Sequence, residues 1–261
     1  MSEVKELLVE RTEHILTLTL NRPERLNAIS GVMLNTLSAE LSKANSDSDV
    51  RVVILTGAGR GFCSGLDLQN ETVNDREKGN LTQFDLISSP PMMLHRMDKP
   101  VICALNGPAA GYGMDLALGC DMRIASDKAK LGAVFTKRGV LPESGGTWYL
   151  PRLIGWARAT EVAFLGDVLN AKQSLEMGLV NRVVEHDNLE EEVFIIANKI
   201  ASNAPYSVQS TKRAMRLGMD QNFESAVNTA YLSLLPMFQS EDFKEGVSAF
   251  WERREPDFKG R

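Results

Sequence analysis

Apolar and polar positions alternate along Leu7 to Glu10 and again along His14 to Leu20, on either side of Arg11-Thr12-Glu13. That period of two predicts a β-hairpin, which Arg22-Pro23 ends. From Ser30, a good N-cap, the period becomes helical: Met33, Leu34, Leu37, Leu41 and Ala44 line one face of a helix running to about Ala44. Val50 to Thr56, rich in β-branched residues, reads as a buried strand, followed by a glycine-rich loop from Gly57 to Leu68. Gln69 to Leu81 is polar and charged and predicts a mobile surface segment of the kind that forms lids. Pro90-Pro91 opens a short helix over Met92 to Met97, with Met92, Met93 and Met97 as core filler.

Val101 to Leu105 is the next strand, opened by Lys99-Pro100 and turned by Asn106-Gly107-Pro108. Small residues from Ala109 to Gly113 then lead into a helix that starts at about Gly113 and ends near Gly119. Met122 to Ala125 predicts a strand, and Leu131-Gly132 begins a loop through Phe135 to Leu141. Gly145-Gly146 opens a helix to about Leu153. Helices Ala157 to Leu165 and Ala171 to Met177 each close on a glycine, and Leu179 to Val184 is the last strand. Leu189 to Ser202, Tyr206 to Leu217, Phe223 to Phe238 and Glu241 to Trp251 are helical by pattern. The class is therefore α/β, with a final helical layer suited to contact between copies of the chain.

Composition narrows the function classes. The 261 residues carry 43% hydrophobic and 24% charged side chains, ordinary for a globular protein, and a formal charge of -5 argues against a general nucleic-acid-binding surface. Cys63, Cys103 and Cys120 are odd in number with no CxxC pair, and His14, His95 and His186 are scattered, so no metal site is expected. The first residues include acids and lack an apolar h-region, and no stretch reaches the roughly 18 apolar residues of a membrane span. The expected location is cytoplasmic, with no nucleic-acid or membrane partner.

Two glycine-rich turns carry the chemistry. In Gly57 to Gly65 the third glycine of a dinucleotide fingerprint is replaced by Phe62, and the Gly-Lys-Ser/Thr of a Walker loop is absent. Ser64 is one place off the centre of a nucleophile elbow, with no histidine nearby. What remains is backbone: amides such as that of Leu66, aimed inward, and a second set at the helix start after Gly111, where Asp115 lies in the first turn. Two backbone N–H donors on one carbonyl oxygen stabilise an enolate or tetrahedral oxyanion, and carboxylates beside it move protons. Glu143, ahead of the Gly145-Gly146 helix, reads by itself as a capping carboxylate, and Asp67 as a cap on the turn after it.

At this point the chain resembles the crotonase, or enoyl-CoA hydratase/isomerase, superfamily over essentially its whole length. The resemblance rests on Asn21-Arg22-Pro23 with Leu26-Asn27-Ala28, on Gly61 to Leu68, on Lys99-Pro100 with Asn106-Gly107, and on Gly119-Cys120-Asp121. It continues through Leu141-Pro142 with Gly145-Gly146-Thr147, Ala171 to Val180, and Phe250 to Lys259. It implies a spiral of repeated ββα units over residues 1–200 and a helical trimerisation region over 201–261. It also implies a homotrimer or dimer of trimers, and a coenzyme A thioester as substrate, with no separate cofactor.

Carried over by position, the resemblance puts the oxyanion-hole amides on Leu66 and Tyr112, where the family usually has glycine at the second. Arg25, Ala28, Ser64, Gly65, Asp67, Leu68, Gly111, Phe135 and Lys259 fall in the substrate and coenzyme A binding set, Arg25 and Lys259 being suited to phosphates. A hydratase of the family carries glutamates at the positions of Asp115 and Phe135, so one acid is shortened here and the other lost. Glu143 matches a position where some double-bond isomerases carry aspartate. The pattern leans to isomerisation. A hydratase or hydrolase using Asp115 and Glu143 is the alternative, and an acyl-CoA-binding protein without turnover a third.

Overall fold

The computed structural model describes residues 5–67 and 89–261. The predicted lid, Gln69 to Leu81, lies outside them, and so does Leu68.

The hairpin forms from β1 (Leu7–Thr12) and β2 (Ile15–Leu20), turned at Glu13 with φ 51°. β2 then pairs in parallel with β3 (Val52–Gly57), in register Ile15 to Val52. β4 (Val101–Leu105), β6 (Met122–Ser126) and β9 (Arg182–Val184) extend the parallel sheet in the order β1-β2-β3-β4-β6-β9. Between β4 and β6 lies β5 (Pro108–Ala110), which joins β7 (Lys130–Gly132) and β8 (Val168–Asn170) in a second sheet of three.

Alternation along the buried strands feeds two apolar layers. Leu16, Leu18 and Leu20, Val53 and Leu55, and Val101, Cys103 and Leu105 face α1 (Gly31–Ser46), α2 (Pro90–Arg96) and α3 (Tyr112–Leu118). Ile15, Val52, Ile54, Ile102, Ala104 and Ile124 face the opposite way. The helix that covers them is α6 (Leu189–Ala201), through Leu189, Val193, Ala197 and Ala201. Burial on both faces explains the nearly continuous apolar runs of β3 and β4.

The remaining helices are α4 (Gly146–Leu165), α5 (Ala171–Met177), α7 (Pro205–Gly218), α8 (Phe223–Leu234) and α9 (Glu241–Glu252). The two helices expected around residue 155 are one run, broken where Gly155 takes φ 75° and ψ 164°. The helix expected from Phe223 to Phe238 stops at Leu234, and a 3-10 turn, Leu235–Gln239, follows because Pro236 cannot continue it. Leu131-Gly132, expected as loop, is strand. β5, β7 and β8 are three residues each, too short for alternation to show.

The last helices sit lightly on the rest. α7 is tied by Lys212 to Asp121 at 2.6 Å and by Arg216 to Asp98 at 2.9 Å. No residue of α8 is buried, and Phe223, Tyr231, Phe250 and Trp251 are exposed. Among the described residues no helix is long and apolar enough to cross a membrane.

Candidate active site

Two asparagines shape the loop after β3. Asn106 Nδ2 donates to the carbonyls of Gly57 and Gly59 at 2.8 and 2.9 Å, and Asn27 Nδ2 donates to those of Ala58 and Gly61 at 2.9 and 2.8 Å. Gly107 lets this loop close on the turn after β4, since a Cβ there would stand 2.9 Å from Gly61 Cα. The loop then runs between two short bridges, Cys63 with Ala109 and Ile29 with Leu66.

Those bridges fix which way each peptide points. The Gly65 carbonyl accepts from Ile29 N at 2.8 Å and Asp67 N donates to the Ile29 carbonyl at 3.0 Å, so both face Ile29. In extended chain the amide between them faces the other side, which is where Leu66 N–H points. Gly65, with φ 110°, brings the loop against the start of α3: a Cβ on it would lie 3.1 Å from the Ala110 carbonyl and 3.8 Å from Tyr112 N. Gly65 thus sets the loop that carries the Leu66 amide against the start of α3, where Tyr112 N stands. Tyr112 is the first residue of α3, and its buried side chain belongs to the apolar core.

Phe135 is buried and packs beside Gly111, where a Cβ would stand 4.0 Å from its ring. An aromatic ring therefore fills the position where the hydratase pattern has its second acid.

Asp115, in the first turn of α3, is 1% exposed. Its Oδ2 accepts from Ser144 N at 3.2 Å, while Oδ1 is buried without a hydrogen bond of good geometry among the described residues. Burial pushes its pKa up to about 7; the amides of Gly146 and Ser144 pull it down, and the charge of Glu143 raises it further. An acid so placed holds a proton near neutral pH.

Glu143 corrects an expectation. It does not cap α4, whose N-cap is Gly145 with φ 113° and no side-chain cap. Its exposed carboxylate instead accepts from Ser144 Oγ at 3.2 Å. The carboxylate at the start of α4 is Asp115, reaching across from α3. Ser144 thus touches both acids, by its amide and by its hydroxyl, a role its sequence context did not reveal.

Around this centre, Ser64 Oγ donates to the Arg25 carbonyl at 3.2 Å, and both residues are exposed at one rim. The Ala28 carbonyl accepts from Arg22 Nη1 at 2.7 Å, and Arg22 also meets the Asp67 carboxylate at 2.9 Å. The turn that Asp67 is expected to cap lies outside the described residues. Lys259 lies in the C-terminal layer, its Nζ 2.6 Å from Asp257 and its amide 2.6 Å from Asp242 of α9. Among the described residues no group of three or more His, Cys, Asp or Glu is arranged to hold a metal ion.

Comparison with known proteins adds to this geometry. The family model described as Enoyl-CoA hydratase/isomerase matches residues 10–261. A (E)-benzylidenesuccinyl-CoA hydratase of Thauera aromatica is 39% identical over 254 residues, covering 97% of this chain and 98% of its own. A 1,2-epoxyphenylacetyl-CoA isomerase of Escherichia coli strain K12 is 37% identical over 250 residues, 95% of each chain. The crystal structure of an enoyl-CoA hydratase from Bacillus anthracis superposes with a TM-score of 0.93 at 36% identity, over 98% of this chain and 100% of that one.

Proposed function

This chain belongs to the enoyl-CoA hydratase/isomerase family and has its crotonase fold, and from that premise we propose that it is an enoyl-CoA double-bond isomerase. The substrate's thioester oxygen sits between the amides of Leu66 and Tyr112, a reading supported by the close approach of Gly65 to the start of α3. As a proton leaves the carbon chain, negative charge gathers on that oxygen, and fixed backbone donors stabilise it without reorganising. Glu143 is the base that takes the proton and returns it to another carbon. Asp115, its pKa pushed up to about 7, holds a proton beside the reacting chain and keeps a second negative charge away from Glu143.

The observation that carries isomerisation over hydration is Phe135. Hydration needs a water held and activated by a second acid, and at the position where the resemblance puts that acid this chain carries Phe135, buried and without a proton to transfer. Moving a proton within one molecule needs a single well-placed base.

One observation favours hydration or hydrolysis as a second reading. Ser144 meets Asp115 through its amide and Glu143 through its hydroxyl, so the two acids flank one residue. Of the similar proteins named above, two are hydratases and one is an isomerase. Mass spectrometry of 2-enoyl, 3-enoyl and cyclic enoyl-CoA thioesters incubated in deuterated water separates the readings. Deuterium gained without water is the expected result. A hydrated product or free coenzyme A would replace isomerisation by the second reading, and an unchanged panel would leave acyl-CoA binding without turnover.

A further inference from the structure

The turn that carries Glu143 rests on the aromatic side chain of Tyr149. Tyr149 is one helical turn into α4, its amide donating to the Gly145 carbonyl at 2.8 Å. Side chains in a helix lean back towards its N-terminus, so the ring covers the residue one turn earlier. That residue is Gly145, and a Cβ on it would stand 2.9 and 3.1 Å from Tyr149 Cε2 and Cδ2. Gly145 lies against that side of the ring, in a φ of 113° that few other residues adopt.

The ring is held from its far end. Tyr149 Oη lies 3.3 Å from Nδ1 of His95 on α2, and His95 makes edge contacts with the rings of Trp148 and Tyr149 at 5.1 and 6.3 Å between centroids. Arg216 of α7 donates to the His95 carbonyl at 2.9 Å and to the Asp98 carboxylate at 2.9 Å, while Arg152 covers the Trp148 ring at 4.1 Å. α2 thereby holds the phenol directly through His95, and α7 braces His95 through Arg216. From it the contacts run to Gly145, then to Ser144, and from Ser144 to both Asp115 and Glu143.

We propose that Tyr149 is a positioning residue: its ring, tethered to His95, sets the turn that presents the Glu143 carboxylate to the reacting carbon. The inference rests on the reading of Glu143 as the base. A base displaced by about 1 Å loses on the order of 100-fold in rate while the rest of the binding surface is untouched. The signature of positioning is therefore a fall in kcat without weaker binding.

The test compares wild type, Tyr149→Phe, Tyr149→Leu and Glu143→Gln for kcat on the thioester turned over, and for the Kd of butyryl-CoA, a saturated thioester. Each kcat is normalised to folded protein. Tyr149→Leu, which removes the flat ring, is expected to lose about 10- to 100-fold in kcat with Kd within about 2-fold. Tyr149→Phe, which keeps the ring and loses only the tether, should recover most of that loss. Tyr149→Leu with wild-type kcat, or with kcat and Kd weakened together, overturns the proposal. If Glu143→Gln retains turnover, the base assignment fails instead. If wild type turns over nothing, the crystal structure of Tyr149→Leu decides, or that of Tyr149→Met where the leucine variant does not fold: an unmoved and equally ordered 143–145 turn overturns the positioning role, and a shifted one supports it.

Discussion

Asp115 occupies the space that a side chain on Gly146 would need: a Cβ at Gly146 would lie 3.0 Å from the Asp115 Cγ and closer still to Oδ1. α3 and α4 therefore meet through a carboxylate set against a bare backbone. Gly146→Ala is expected to push Asp115 off the Ser144 amide, lower kcat by about 100-fold through misplacement of the acids, and reduce stability by about 1–3 kcal/mol through overpacking. Steady-state kinetics and urea unfolding on the same preparation check both. Wild-type kcat in the alanine variant would mean that Asp115 need not stay where it is.

Glu143→Gln keeps the shape of the side chain and its bond from Ser144 Oγ but removes the base. Turnover is expected to fall by at least about 100-fold, the usual scale of general-base loss, with saturated acyl-CoA binding unchanged. Calorimetric titration beside the deuterium-exchange assay reads the two separately. Loss of binding in step with loss of turnover would assign Glu143 to substrate binding rather than to chemistry.

Most of the fold was legible because buried strands and amphipathic helices write their periods into the sequence. β3, β4 and α1 lie within two residues of where their patterns put them. The three-stranded second sheet was not legible, since Pro108–Ala110 and Lys130–Gly132 hold too few residues to show a period. At the site, the glycines announced close backbone approaches, and Gly65 and Gly107 make them. Partnerships were hidden wherever they join distant segments. Nothing local to Glu143 says that Asp115, 28 positions away, holds the Ser144 amide, or that Arg22 meets Asp67. Capping is a local reading, and here a side chain from another helix displaced it.

The exposed aromatics of the last helices predict association. Phe223 is 82% exposed and Trp251 76%, on helices that bury almost nothing of their own. A patch of that kind is rarely left to water on a single chain. We expect light scattering after gel filtration to give the mass of a trimer or of two trimers, and Phe223→Ser with Trp251→Ser to shift it towards the monomer. A wild-type monomer at micromolar concentration would end the assembly expected for residues 201–261.

Phe135→Glu tests why the second acid matters. The ring is buried beside Gly111, so a glutamate there places a carboxyl next to the oxyanion amides and loses an aromatic contact. Stability should fall by about 2–4 kcal/mol, from lost apolar burial and a desolvated acid. The ratio of hydrated to isomerised product should rise, as the same mass-spectrometric panel would register. An unchanged ratio in a folded variant would remove Phe135 as the reason for isomerisation.

The raised pKa of Asp115 has a consequence for stability that is independent of any substrate. In the unfolded chain its carboxyl titrates at about 3.9, whereas burial pushes it up to about 7 in the folded protein. Between those values the folded state keeps a proton that the unfolded state has released. Folding stability from this group is therefore full below about pH 4 and is lost as pH rises to about 7, after which it levels off. Asp115→Asn has no proton to lose, so its unfolding free energy minus that of wild type should grow across the same window. Urea unfolding of both proteins at about pH 4.5, 6 and 8 measures that difference. Parallel curves would mean that Asp115 ionises in the fold as easily as in water, and its part as a neutral acid beside Glu143 would go with them.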